Sequence, residues 1–217
     1  MPLQIIHLSV AKNIALRFKL GDLSQFYLGS ISPDAIHMRH NYSRLEKRKT
    51  HLNPINERRF DVNEREFIKV LLSFVKSNKD KCDLDFLWGY LIHILTDVYW
   101  ITRVAHKFVE DYEKDTSPTQ DLRDAYYSDT NTLDQLLFNE SIWMNNVLGE
   151  LKIARATDFL DLLTGQEINL WREHTLNGYN SGVNRHKNLI KYIDKKDIEN
   201  FIIVCSESIM NDINFVL

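Results

Sequence analysis

His93 and Asp97 stand four residues apart within the run FLWGYLIHILTDVYWIT, residues 86–102. On a helix both side chains leave one face, about one turn apart. Trp88, Leu91, Ile92, Ile94, Leu95, Val98 and Trp100 would bury that face and its flanks. An ionised carboxylate in such surroundings needs a cation or several hydrogen-bond donors. A divalent metal meets that need, because it binds neutral imidazole and carboxylate directly. A plainer reading stays open, in which Asp97 accepts a hydrogen bond from His93 or from Tyr90.

Three further residues have the right chemistry for ligands. Asp34 follows Pro33 in GSISPDAIHMRH, residues 29–40. Proline disfavours a helical Ser32, so a rigid turn is predicted there, with Asp34 as helix cap or ligand. His51 lies in KTHLN, and His7 in IIHLSVAKNIAL on the first apolar stripe. Each has a structural alternative: a cap for Asp34, an exposed loop position for His51, the edge of the core for His7. His37 and His40 flank Arg39 and could support or supplement the ligands.

Helices must position these groups. The 7 glycines and 4 prolines fall mostly outside the apolar runs, which favours long helices over turn-rich strands. Helices are predicted over 4–19, 63–77 (with Asn63 as cap and Phe67, Val70, Leu71, Phe74 and Val75 on one face) and 84–113. Further ones are predicted over 132–153, 156–164, 166–175, 185–192 and 195–211. Residues 21–60, punctuated by Gly21, Gly29, Pro33 and Pro54, read as irregular, and 114–132 as a long polar loop. The expected fold is all-α: one domain spanning 1–217, a helical bundle around a long buried central helix.

Composition narrows the rest. With 27 Lys+Arg against 30 Asp+Glu there is no basic excess to neutralise phosphates, so no stable nucleic-acid complex is expected. Cys82 and Cys205 form no CxxC pair, which suits a reducing compartment and excludes a cysteine zinc knuckle. The start MPLQIIHLSVAKNIALRFKL lacks the features of a signal peptide, so a cytoplasmic protein is expected. Residues 86–102 imitate a membrane span, but a charge at a bilayer centre costs about 2.5–3.5 kcal/mol even on gentle scales. A buried core helix fits better, and no transmembrane segment is expected. No HD dipeptide, HExxH, GxxxxGK[ST] or GxSxG occurs, which removes several hydrolase and nucleotide-binding classes.

The ordered set FYLGSISPDAIHMR, KTHL and FLWGYLIHILTDVYW resembles the zinc-dependent phospholipase C superfamily, which includes the single-strand-specific zinc nucleases. It is most similar to the small intracellular bacterial members, over roughly residues 3–106. The resemblance implies a mostly helical metal-dependent hydrolase of phosphoesters acting on a small-molecule substrate. By resemblance, Asp34, His51, His93 and Asp97 hold one divalent ion, zinc first. His7 joins Asp97 on a second ion, which makes Asp97 a bridge. Paired ions of this kind lower the pKa of a bound water and stabilise charge on phosphoryl oxygens. Asp34 would also orient the attacking water or act as a base. Arg39, or Arg44, Arg48 or Lys49, would bind substrate phosphate.

Secreted members hold a third ion through histidines that have no counterpart here. His106 and Glu110 form an HxxxE pair, but too early in the chain, so one or two ions are expected. His174 and His186 match nothing and are expected at the surface. The competing expectation is a non-catalytic helical protein that binds metal or a partner.

Overall fold

The computed structural model describes residues 2–53, 63–180 and 190–214. These residues are helical, with no strand among them beyond an isolated bridge between Phe159 and Leu163. The all-α expectation holds. Residues 181–189, with His186 and most of the helix expected over 185–192, lie outside the described residues, and 190–192 are not helical.

The central helix is α5, Leu84–Trp100, numbered in chain order after α1 (Gln4–Ala15), α2 (Leu23–Ile31), α3 (Arg44–Thr50) and α4 (Glu64–Asn78). The Asp83 carboxylate caps α5 by accepting from Phe86 N at 2.9 Å. Every residue from Phe86 to Trp100 is buried, so this helix is apolar on all sides because protein surrounds it on all sides. A π-helical turn, Ile101–Ala105, carries it into α6, His106–Lys114, which accounts for the single long helix read from the sequence. No helix among the described residues is long and apolar enough to cross a membrane.

α2 lies directly against α5, although residues 21–60 were expected to be irregular. Its N-terminus is capped by Asp22, whose Oδ1 accepts from Ser24 N at 2.9 Å and Gln25 N at 3.2 Å. Gly29 is not a chain break. It sits inside α2 where a Cβ would overlap the Phe86 carbonyl oxygen, and Gly89 sits opposite, where a Cβ would overlap the Phe26 carbonyl oxygen. The two backbones therefore touch, which only paired glycines permit.

From α2 the chain tightens into a 3-10 helix, Ser32–Met38. Pro33 stands in its first turn, where the missing N–H is not needed. Ser32 is helical, at φ −71° and ψ −29°, so the predicted turn is a tightening rather than a break. α3 follows, opened by a capping box between Ser43 and Glu46.

Two other departures have physical causes. α7, Leu122–Glu140, begins inside the expected polar loop. Its polar side chains serve the interior: the buried Asp129 carboxylate accepts from Lys191 N, Tyr192 N and Ile193 N at 3.1, 2.7 and 3.0 Å. Residues 156–164 form a turn, not a helix. Leu160 is left-handed at φ 49°, and Phe159 N donates to Leu163 O at 2.8 Å. The turn delivers Phe159 against Tyr90 and Phe86, with ring centroids 4.5 and 5.0 Å apart. In α4 the buried face is Ile68, Leu71, Leu72 and Val75, rotated from the predicted one. The remaining helices, α8 (Met144–Ile153), α9 (Gly165–Asn180) and α10 (Lys195–Asn214), complete one hydrophobic core.

Gly89→Ala should destabilise the fold by about 3 kcal/mol or more, since backbone rather than a mobile side chain must yield. Gly149→Ala, in α8 with nothing within 4 Å of the added methyl, should instead stabilise by about 0.5–1 kcal/mol. Urea unfolding of the two variants beside the parent chain checks both signs.

Candidate metal centre

The five residues expected as ligands come together in the interior. His93 and Asp97 project from one face of α5, and His7 arrives from α1. Asp34 arrives from the 3-10 segment and His51 from the C-terminal cap of α3. All five are buried. The Tyr90 hydroxyl donates to the Thr50 carbonyl, which ties the end of α3 to α5 and sets His51 in place. Tyr90 is therefore not the partner of Asp97, and the plainer reading of the His93–Asp97 pair loses that donor.

The ring orientations are fixed from behind. His93 Nδ1 lies 2.9 Å from the Ser30 carbonyl, and His51 Nδ1 lies 2.9 Å from the Lys47 carbonyl. A carbonyl only accepts, so each Nδ1 carries a proton, and in the neutral ring each Nε2 presents a lone pair. Metal-binding histidines are commonly held this way. Both Nε2 atoms point at carboxylate oxygens, which are also acceptors. His51 Nε2 is 3.4 Å from Asp34 Oδ1 and 3.6 Å from Asp97 Oδ2. His93 Nε2 is 3.7 Å from Asp97 Oδ2 and 4.0 Å from Asp34 Oδ2. His7 Nε2 is 3.6 Å from Asp97 Oδ1.

These separations exceed ordinary hydrogen bonds. Ligand bonds of about 2.0–2.2 Å in a tetrahedral zinc site place donor atoms about 3.3–3.6 Å apart. Asp34 Oδ1, both oxygens of Asp97, both ring nitrogens of His7 and the Nε2 atoms of His51 and His93 are buried without a hydrogen-bond partner among the described residues. Such atoms are rare unless something outside the protein pairs them. The ligand atoms of His51, His93 and Asp97 lie within 4.8 Å of one another, as do those of His7, Asp34 and His93. Asp97 turns Oδ1 to His7 and Oδ2 to His51 and His93, so it could serve two ions at once. The His7 and His93 rings stack in parallel with centroids 3.7 Å apart.

Burial sets the protonation states. It pushes the Asp97 carboxyl up to about 7 and His93 down to about 3. Burial, then the neighbouring His93, holds His7 well below the usual histidine range. Burial also raises Asp34, but the approach of His37 and His51 outweighs it and holds that carboxyl well below the usual range. The site thus presents His7 and His93 as neutral imidazoles and Asp34 as a firm carboxylate, donors of the kind that zinc and similar divalent ions take.

Other expected residues lie elsewhere. The Arg39 guanidinium is committed to structure: Nε and an Nη grip Glu167 at 2.6 and 3.0 Å, and further bonds reach Glu46 at 3.2 Å and the Leu162 carbonyl at 3.1 Å. His106 and Glu110 pair with each other at 3.6 Å on the exposed side of α6. His40 and His174 are exposed. The cation that does reach the site is Lys47, whose Nζ lies 3.6 Å from Asp34 Oδ1. Sequence reasoning passed over it, although the Ser43–Glu46 capping signal predicts a helix that puts Lys47 one turn before His51. Comparison of the chain with protein-family models, with curated proteins and with solved structures returned no match.

An acid whose folded pKa exceeds its unfolded value favours folding while protonated, and that advantage disappears as pH climbs between the two values. For Asp97 and for Asp134, both pushed up to about 7 by burial, the window runs from about 4 to about 7. His7 and His93, held low by burial, work the other way below about pH 6.5, so the readout is the difference between two chains: chelator-treated Asp97→Asn should gain melting temperature relative to the parent between about pH 5 and about pH 8. Zinc should raise the melting temperature of the parent chain most at the higher pH, because ligands must be deprotonated to bind. Calorimetric melts at both pH values, with and without zinc, decide it.

Proposed function

We propose that this protein is a hydrolase of phosphoester bonds built on one or two divalent ions, zinc first, held by His7, Asp34, His51, His93 and Asp97. One observation carries the reading: lone pairs of fixed imidazoles face carboxylate oxygens across 3.4–4.0 Å inside the core, with no hydrogen-bond partner among the described residues for most of those atoms. The order and spacing of the five residues, and the family they resemble, support the same chemistry.

When bound, such ions supply positive charge for phosphoryl oxygens and a water of lowered pKa. The chain's own residues do the rest. Asp34 stays ionised and accepts a hydrogen bond from the attacking water, which aligns it. The Ser30 and Lys47 carbonyls keep His93 and His51 in the tautomer that offers Nε2. The apolar residues of α5 keep bulk water out, which strengthens every charge interaction inside.

A second reading follows from depth. His7 and His93 are each only 1% exposed, which also suits an ion that holds the fold together without catalysis. Measuring metal in protein purified without chelator, then turnover of a phosphomonoester and a phosphodiester, separates the two. We expect stoichiometric zinc, and turnover that falls by about a hundredfold or more in Asp34→Asn. Zinc without turnover favours the structural ion, and no zinc removes both readings.

A further inference from the structure

Asp34 Oδ1 is where the buried centre meets the surface. Three nitrogens approach it: His51 Nε2 at 3.4 Å, His37 Nε2 at 3.5 Å and Lys47 Nζ at 3.6 Å. His51 is a buried ligand. The other two belong to the outside, with side chains 32% exposed for His37 and 30% for Lys47, against 1% for His93. They mark the side on which the centre lies nearest the surface.

Lys47 is held in a defined position. Its ammonium donates to His37 Nε2 at 2.8 Å, and His37 Nδ1 lies 2.7 Å from the Tyr42 hydroxyl. An Nε2 that accepts from an ammonium leaves the proton on Nδ1, which then donates to Tyr42. His37 is therefore a neutral support, and the positive charge sits on Lys47. An ammonium has three N–H donors, of which His37 takes one. The contact with Asp34 is longer than a hydrogen bond. Among the described residues, Lys47 thus keeps donors available on the surface side of the centre, unlike Arg39, whose fork is filled by Glu167.

Charge points the same way. One divalent ion balances the Asp34 and Asp97 carboxylates, and Lys47 then leaves a surplus of positive charge. An ammonium held beside a centre with surplus positive charge suits an anion of more than one charge. A terminal phosphate carries about −1.5 to −2 at neutral pH and three acceptor oxygens, whereas a diester offers one charge and two such oxygens.

We propose that Lys47, supported by His37 and Tyr42, is the phosphate-recognising residue of this centre and binds a non-bridging oxygen of a terminal phosphate, which makes phosphomonoesters the substrate class. This rests on the metal-centre reading above. It adds the residue and the class of ester that the reading leaves open.

The test uses the full chain loaded with zinc, and titrates inorganic phosphate and dimethyl phosphate by calorimetry. Lys47→Met should keep its zinc and melt within about 3 °C of the parent. It should lose phosphate affinity by about tenfold or more, the worth of one charge-assisted hydrogen bond. Lys47→Arg should recover most of the loss. Dimethyl phosphate should bind the parent weakly and be indifferent to both substitutions. Tyr42→Phe, which leaves every proposed ligand intact, should weaken phosphate by about threefold, and it carries the test if Lys47→Met loses zinc. Full zinc with unchanged phosphate affinity in these variants overturns this inference alone, as does dimethyl phosphate binding as tightly as phosphate. A parent chain that takes up no zinc removes the metal-centre reading, and this inference with it.

Discussion

The backbones of α2 and α5 touch, and the buried His/Asp cluster is a consequence of that contact. Gly29 and Gly89 remove the two side chains that would hold the helices at an ordinary separation. At the closer distance the Ser30 carbonyl reaches His93 Nδ1. The chain leaving α2 also descends beside α5 early enough to bring Asp34 opposite His93 and Asp97. A wider crossing would carry the 3-10 segment outward, and Asp34 with it. The helices thus act as a template whose spacing is set by missing atoms, while the chemistry is set by the residues that follow each glycine: Ser30 and Asp34 after Gly29, His93 and Asp97 after Gly89.

What such a template builds is unfavourable by itself. Burial drives His93 towards neutrality and Asp97 towards its acid form, and fixed lone pairs then confront carboxylate oxygens. Apolar packing along α5 must overcome this, and it does so because the cluster is small beside the core that encloses it. A cation reverses the balance, since every acceptor in the cluster becomes a favourable partner at once. The ligands come from four segments that are far apart in the chain. An ion bound there would stabilise their assembly, and folding and loading would be linked. The same enclosure keeps the site dry, so the property that makes it unstable when empty of charge also makes a bound charge effective.

The parts that were legible in the sequence share a cause. α5 announced itself because residues 86–100 are apolar on all sides, and His93 and Asp97 stood out as exceptions at helical spacing. Asp34, His51 and His7 were legible as ligand types, but their convergence depends on tertiary contacts that no local pattern encodes. Gly29 was misread because a glycine that permits close packing and a glycine that ends a helix look alike in one sequence. Polar residues of α7 suggested solvent because composition cannot distinguish water from Lys191, Tyr192 and Ile193 N–H groups as partners of Asp129. The stretch 156–164 has helical apolar spacing, yet Phe159 is drawn to Tyr90 and Phe86, and a tight turn satisfies that attraction at the expense of the helix.

Arg39 and Lys47 show why charge alone does not identify a binding group. Both lie between Asp34 and His51 in the chain, and both are cations near the surface. The planar guanidinium of Arg39 matches a carboxylate edge to edge, and Glu167 supplies one. That pairing joins the 3-10 segment to α9, while Glu46 and the Leu162 carbonyl take further donors, so the residue is used up as a strut. Lys47 offers a point charge with no preferred plane, and its neighbours satisfy it only in part. Its backbone carbonyl meanwhile orients His51, so one residue orients a proposed ligand with its main chain and faces the entrance with its side chain. The arginine fixes the frame that places Asp34, and the lysine, whose donors the frame leaves open, is the cation able to meet an incoming anion.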